Sequence, residues 1–156
     1  MCAGKGPAPL PLMVTHGWPG SFIEMLKLIP LLADPAAHGG SAEDAFDVIV
    51  PSLPGYGFSD RPRERGMDPN KIATLWVRLM EEFGYKRFGA QGGDWGSIIS
   101  IALGLDHAER MIGIHLNYVA GRFLLGGTMN VQPDDEIASA YLEQLRGWWD
   151  AEGLQP

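Results

Sequence analysis

The sequence predicts an α/β domain organised on a mostly parallel sheet, and three observations carry that reading. Short apolar runs alternate along the chain with segments of helical period, as they do where strands are joined by crossover helices. Each run stops in a turn rich in glycine or proline, and the 21 Gly and 12 Pro among 156 residues supply the sharp turns and close backbone approaches this requires. Hydrophobic residues make up 46% and charged residues 20%, enough apolar surface for one domain to bury a core.

The first apolar run, Leu10–Thr15, reads as a buried strand ending in the turn His16-Gly17-Trp18-Pro19-Gly20. Ser21 and Glu24 then stand at capping-box spacing ahead of Phe22, Met25, Leu26 and Ile29, which predicts a helix starting at Ser21 and ended or kinked by Pro30. Residues 34–44 read as a loop. Residues 46–50 form the second strand, which runs into Pro51-Ser52-Leu53-Pro54-Gly55-Tyr56-Gly57, where prolines and glycines forbid regular structure as far as Asp68. Asp68 and Pro69 supply an N-cap and a first-turn proline. The apolar positions Ile72, Leu75, Trp76, Leu79, Met80 and Phe83 continue that helix until Gly84 stops it. Residues 87–91 read as the third strand, residues 97–105 as a helix of small and apolar residues, and Met111–Leu116 as the fourth strand. Beyond Tyr118, glycines at 121, 126 and 127 predict a flexible connection. Residues 133–149 read as an amphipathic helix with Asp134, Asp135 and Glu136 at its positive end and Ile137, Tyr141, Leu145, Trp148 and Trp149 on one face.

Several classes of function are excluded or disfavoured by composition. A net charge of −7 and a pI near 4.9 argue against phosphate-backbone binding, so nucleic acid is not an expected partner. Cys2 is the sole cysteine, which precludes an internal disulfide or a thiolate zinc cluster and fits a reducing, cytoplasmic setting. The longest apolar runs, such as residues 10–14 and 98–105, fall well short of the roughly 18 residues that span a bilayer. No membrane span and no secretory leader are expected.

In a doubly wound sheet ligands bind beyond the carboxyl ends of the strands, and two glycine-rich turns fall there. The second, Gly92-Gly93-Asp94-Trp95-Gly96, has the small-x-nucleophile-x-small spacing of a strained strand-to-helix elbow. A nucleophile held at positive φ needs neighbours without side chains where helix and strand cross, and Asp tolerates that backbone better than most residues. The competing reading is that Asp94 merely caps the following helix. An oxyanion hole in such a site takes one backbone N–H from the residue after the nucleophile and one from the loop after an earlier strand, and Trp95 and Trp18 occupy those places.

Four motifs now stand in order: His16-Gly17-Trp18-Pro19-Gly20-Ser21-Phe22, Leu53-Pro54-Gly55-Tyr56-Gly57-Phe58-Ser59, Gly92-Gly93-Asp94-Trp95-Gly96 and Gly113-Ile114-His115-Leu116-Asn117. Together they resemble an epoxide hydrolase of the microsomal type, an α/β-hydrolase, over residues 4–117. The resemblance implies that Asp94 is the nucleophile, that the backbone amides of Trp18 and Trp95 are the oxyanion donors, and that the Trp18-Pro19 bond is often cis. It implies a small apolar epoxide and water as the reactants. No cofactor and no metal are expected, because carboxylate attack and ester hydrolysis need neither. With a reference pKa near 3.9, an aspartic acid side chain is ionised at neutral pH and can attack a strained epoxide carbon without a base. The resulting alkyl ester must then be hydrolysed by activated water.

The chain departs from that pattern after Asp94, where only His107 and His115 follow. His107 is expected near the far end of the elbow helix, about 20 Å from Asp94, at the surface. His115 is expected to pack within the fourth strand, and His38 lies in a polar loop. Tyr141 fits a helix face at least as well as a proton donor. The expected division is a partial α/β-hydrolase core over 1–120 and a linker with the first cap helix over 121–156, an internal piece lacking the catalytic His and acid. Such a piece should expose sheet edges that favour self-association. The alternatives are a haloalkane dehalogenase-like hydrolase, disfavoured by Trp18 where that family usually has Asn, and a non-catalytic degenerate α/β-hydrolase domain. A serine esterase is weaker, since Ser97 falls one turn into the helix.

Overall fold

The computed structural model of the protein describes residues 1–119. The expected connection after Tyr118 and the helix over 133–149, including Tyr141, lie outside the described residues. Four strands, β1 (Leu10–Thr15), β2 (Phe46–Ile49), β3 (Phe88–Gly92) and β4 (Met111–Leu116), form a fully parallel sheet of order β2-β1-β3-β4. Its helices are α1 (Leu28–Ala33), α2 (Pro69–Glu82) and α3 (Trp95–Asp106).

Alternation along β1 divides the core between the two faces. Met13, paired with Ile49 and Ala90, faces one cluster that includes Trp76, Val77 and Met80 of α2 and Ile99, Ala102 and Leu103 of α3. Val14, one residue on, faces the opposite cluster with Val48 and Ala33, against which Ile29 and Leu32 of α1 pack. The chain therefore steps from β1 to β2 across one face, then crosses to β3 and on to β4 across the other. That reversal puts a topological switch point between the carboxyl ends of β1 and β3, where the two glycine turns begin.

The second expected helix is α2, capped as the sequence predicts. Asp68 accepts from the Lys71 backbone N–H at 2.9 Å, Pro69 fills the first turn, and Gly84 follows at φ 86°. The first departs from expectation. Residues Phe22–Met25 form a single 3-10 turn, and α1 begins only at Leu28. Pro30 sits in the first turn of α1 rather than ending a helix, because the first N–H groups of a helix have no internal acceptor to lose. Ser21 does cap its turn, but accepts from Ile23 at 3.3 Å. Residues 34–44 carry two further 3-10 turns, Pro35–His38 and Ala42–Asp44.

Two polar ties brace the sheet. Buried Trp76 donates its indole N–H to Thr15 Oγ1 at 3.2 Å, fixing α2 to the end of β1. Asp47 on β2 accepts from the Gly4 backbone N–H at 2.8 Å and from the Tyr85 hydroxyl at 2.8 Å. Burial, with that bond to the Asp47 carboxylate, pushes the Tyr85 phenol up to about 12. Among the described residues, no helix is long and apolar enough to cross a membrane.

Candidate active site

The site begins at the end of β3. Helix α3 starts at Trp95, two residues earlier than expected, so the turn from strand to helix is confined to Gly93 and Asp94. Asp94 has φ 50° and ψ −126°, and among the described residues it is the non-glycine position with positive φ. A side chain held there costs about 1–3 kcal/mol, which the surroundings must offset. Ser97 contributes by donating both its backbone N–H, at 3.0 Å, and its hydroxyl, at 2.7 Å, to the Asp94 carbonyl.

The flanking glycines are required by contact. A Cβ on Gly92 would lie 2.1 Å from the Gly96 carbonyl oxygen, and one on Gly96 would lie 2.1 Å from the carbonyl oxygen of Thr15. Helix α3 thus starts against the backbone of both β1 and β3, and no side chain fits between them.

The capping alternative for Asp94 fails, since its side chain makes no cap hydrogen bond to α3. Its Oδ1 instead accepts from the backbone N–H of Trp18 at 2.8 Å, across 76 positions of sequence. Trp95 directly follows Asp94 and heads α3. The structure therefore brings Asp94, Trp18 and Trp95 together at the switch point. Gly17 lets the turn come this close: a Cβ there would stand 2.6 Å from Asp94 Cβ and 2.7 Å from Oδ1.

The turn bearing Trp18 is itself anchored. His16 is fully buried, and its Nε2 accepts from the Leu53 backbone N–H at 2.9 Å. A backbone N–H can only donate, so Nδ1 carries the ring proton and donates to the Gly17 carbonyl at 2.7 Å. Tyr56 packs edge-on against the imidazole with ring centroids 5.8 Å apart. Leu53 and Tyr56 belong to the second motif, so the first two motifs are one structure joined through His16. The Trp18-Pro19 bond is cis, and the Gly20 N–H donates to the Gly17 carbonyl at 2.9 Å to close the turn.

Asp94 opens onto a hollow of about 390 Å³, walled by Trp18, Glu24, Met25, Gln91, Asn117 and Tyr118. Glu24 stands at capping-box spacing in the sequence, yet its carboxylate lies against Gly20 and lines this hollow. Asn117, the last residue of the fourth motif, packs its carboxamide against Gly93, where a Cβ would meet Oδ1 at 2.3 Å.

The histidines divide as follows. His107 terminates α3 at the end away from Asp94, half-buried, with Nε2 3.4 Å from Thr74 Oγ1. His38 is exposed at the end of its 3-10 turn. His115 is exposed rather than packed, because β4 is the outermost strand of the described sheet and its residues 112–115 are exposed. Among the described residues, no group of three or more His, Cys, Asp or Glu could hold a metal ion.

The family model for the alpha/beta hydrolase fold matches residues 11–151. The chain is 45% identical over 112 residues to epoxide hydrolase 1 of Oryctolagus cuniculus, covering 72% of this chain and 25% of the relative. It is 44% identical over 147 residues to juvenile hormone epoxide hydrolase 1 of Ctenocephalides felis, covering 94% of this chain and 30% of the relative. The structure is similar to that of the Aspergillus niger epoxide hydrolase, with a TM-score of 0.70 and 27% identity over 97% of this chain and 38% of that one. The chain thus spans about a quarter to three tenths of the curated relatives it matches.

Proposed function

We propose that this chain, which belongs to the family of the alpha/beta hydrolase fold, opens epoxides to diols through an alkyl ester on Asp94. The observation that carries the proposal is the Asp94 carboxylate, released from its own helix and held by the Trp18 N–H at 2.8 Å over an open hollow.

With Oδ1 held by that N–H, Oδ2 is the attacking atom. It forms a bond to one epoxide carbon while the C–O bond of the ring breaks, and the ring oxygen takes the electron pair and then a proton from water. The product is a hydroxyalkyl ester whose carbonyl oxygen is Oδ1. When water attacks the ester carbon, giving its proton to a general base, a part that none of the described histidines is placed to play, negative charge develops on that same oxygen, where the amides of Trp18 and Trp95 act as oxyanion donors. Collapse releases the diol and restores the carboxylate. Each donor in such a hole contributes about 10²–10³ in rate. The reactants in this reading are a small apolar epoxide and water, with no cofactor. The single cysteine supports a reducing, cytoplasmic setting. The uncovered edge β4, with Ile112 and Ile114 exposed, supports self-association.

A haloalkane dehalogenase would use the same elbow aspartate. Trp18 in the turn and the named relatives favour the epoxide. The test is incubation of the chain with a neutral terminal epoxide and, separately, with a bromoalkane of equal length. Epoxide consumption, as protein adduct plus diol, without bromide release is the expected result. Bromide release with an inert epoxide would reverse the assignment.

A further inference from the structure

We propose that Glu24 selects substrates by charge, directing the Asp94 site toward neutral epoxides and away from epoxides that carry a carboxylate. This rests on the epoxide reading and deepens it by naming a substrate class and the residue that sets it.

The hollow beside Asp94 has an acidic lining. Two carboxylates, those of Asp94 and Glu24, contribute to its wall, while no Lys, Arg or His does so among the described residues. Its other polar groups, on Thr15, Gln91 and Asn117, are uncharged. Asp94 must be anionic to attack, so its charge opposes an anionic substrate and cannot be removed without ending the reaction. Glu24 is different. No bond of the proposed reaction is made to it, and among the described residues its charge is added to a hollow that would otherwise hold one.

That charge lies against the turn. The side chain of Glu24 folds back so that Oε1 lies 1.2 Å from where a Cβ on Gly20 would be; only a glycine leaves room for it. Gly20 closes the turn that presents the Trp18 N–H, so the Glu24 carboxylate sits on the rim of the donor site itself. No hydrogen bond or ion pair neutralises it among the described residues. Capping alone does not require a charge, because Gln serves at the third helical position as well as Glu does. Repulsion between like charges a few ångströms apart survives partial exposure, and salt weakens it within a Debye length of about 8–10 Å.

The probes are an ω-epoxy alkanoate and its methyl ester, which share the reacting ring and differ in charge. The rate of epoxide consumption by the 156-residue chain, adduct plus diol, is measured for each. The methyl ester is expected to react roughly tenfold faster at low salt, a ratio that narrows as salt is raised. Glu24→Gln keeps the length and shape of the side chain while removing its charge, and should bring the ratio to within about threefold. Glu109→Gln, on an exposed turn remote from the hollow, removes the same charge and should leave the ratio at its wild-type value. Equal rates for the two probes in the wild-type chain, or a ratio that Glu24→Gln does not change, would overturn the role of Glu24 while leaving the epoxide reading intact. Failure of both probes to react would overturn both.

Discussion

Replacing Gly17 by alanine separates the donor at Trp18 from the carboxylate it holds. The added methyl would stand 2.6 Å from Asp94 Cβ and 2.7 Å from Oδ1, where unstrained carbon contacts need about 3.5–4.0 Å. Relief therefore takes a displacement of about 1 Å, either of the turn or of the carboxylate. The Trp18 N–H to Oδ1 bond, now 2.8 Å, would open to about 3.8 Å, beyond hydrogen-bond range. Overpacking of this kind costs about 1–3 kcal/mol in stability, and loss of one oxyanion donor costs about 10²–10³ in rate. The assay is the rate at which the Asp94 adduct formed by a pulse of a neutral terminal epoxide decays to diol, alongside a thermal melt. Gly113→Ala is the matched control, because a Cβ there meets nothing within 4 Å. The reasoning fails if the Gly17→Ala adduct decays within about threefold of the wild-type rate.

Other expectations concern the frame around the site. His16→Phe keeps the ring but leaves the buried Leu53 N–H without its acceptor, which should cost about 1–3 kcal/mol and lower the melting temperature; an unchanged melt would contradict the anchoring role of His16. The raised Tyr85 phenol implies that its neutral form stabilises the fold. That contribution is fully present below pH 10, its ordinary value, and disappears as pH rises through about 12. Tyr85→Phe should therefore lower stability at neutral pH by about 1 kcal/mol and flatten the alkaline loss, as read by denaturant titrations on either side of about pH 10. Parallel curves for the two proteins would refute that assignment.

Much of this geometry is legible in the sequence because short-range sterics dictate it. Gly92, Asp94 and Gly96 announce an elbow, since the spacing leaves room only where α3 crosses the ends of β1 and β3. Pro30 misleads because proline both stops a helix and suits its first turn, and the local pattern does not say which N–H groups lack acceptors. His115 reads as packed because Met111–Leu116 is apolar in the manner of a buried strand; that β4 lies at the edge is a property of the sheet order. The bond from His16 to Leu53 spans 37 positions and has no local signature. Its only trace is that the first two motifs occur together. Glu24 looks like a cap at three residues from Ser21, and only the fold of the turn reveals that its carboxylate borders the hollow.

The most direct test of the account is the location of the covalent intermediate. The chain is reacted with a neutral terminal epoxide, quenched in acid, digested and sequenced by tandem mass spectrometry. The account predicts a single adduct of the full epoxide mass on the Asp94 side chain, absent from Asp94→Asn. A diol formed with no adduct at Asp94 at any quench time, or an adduct that persists in Asp94→Asn, would contradict it.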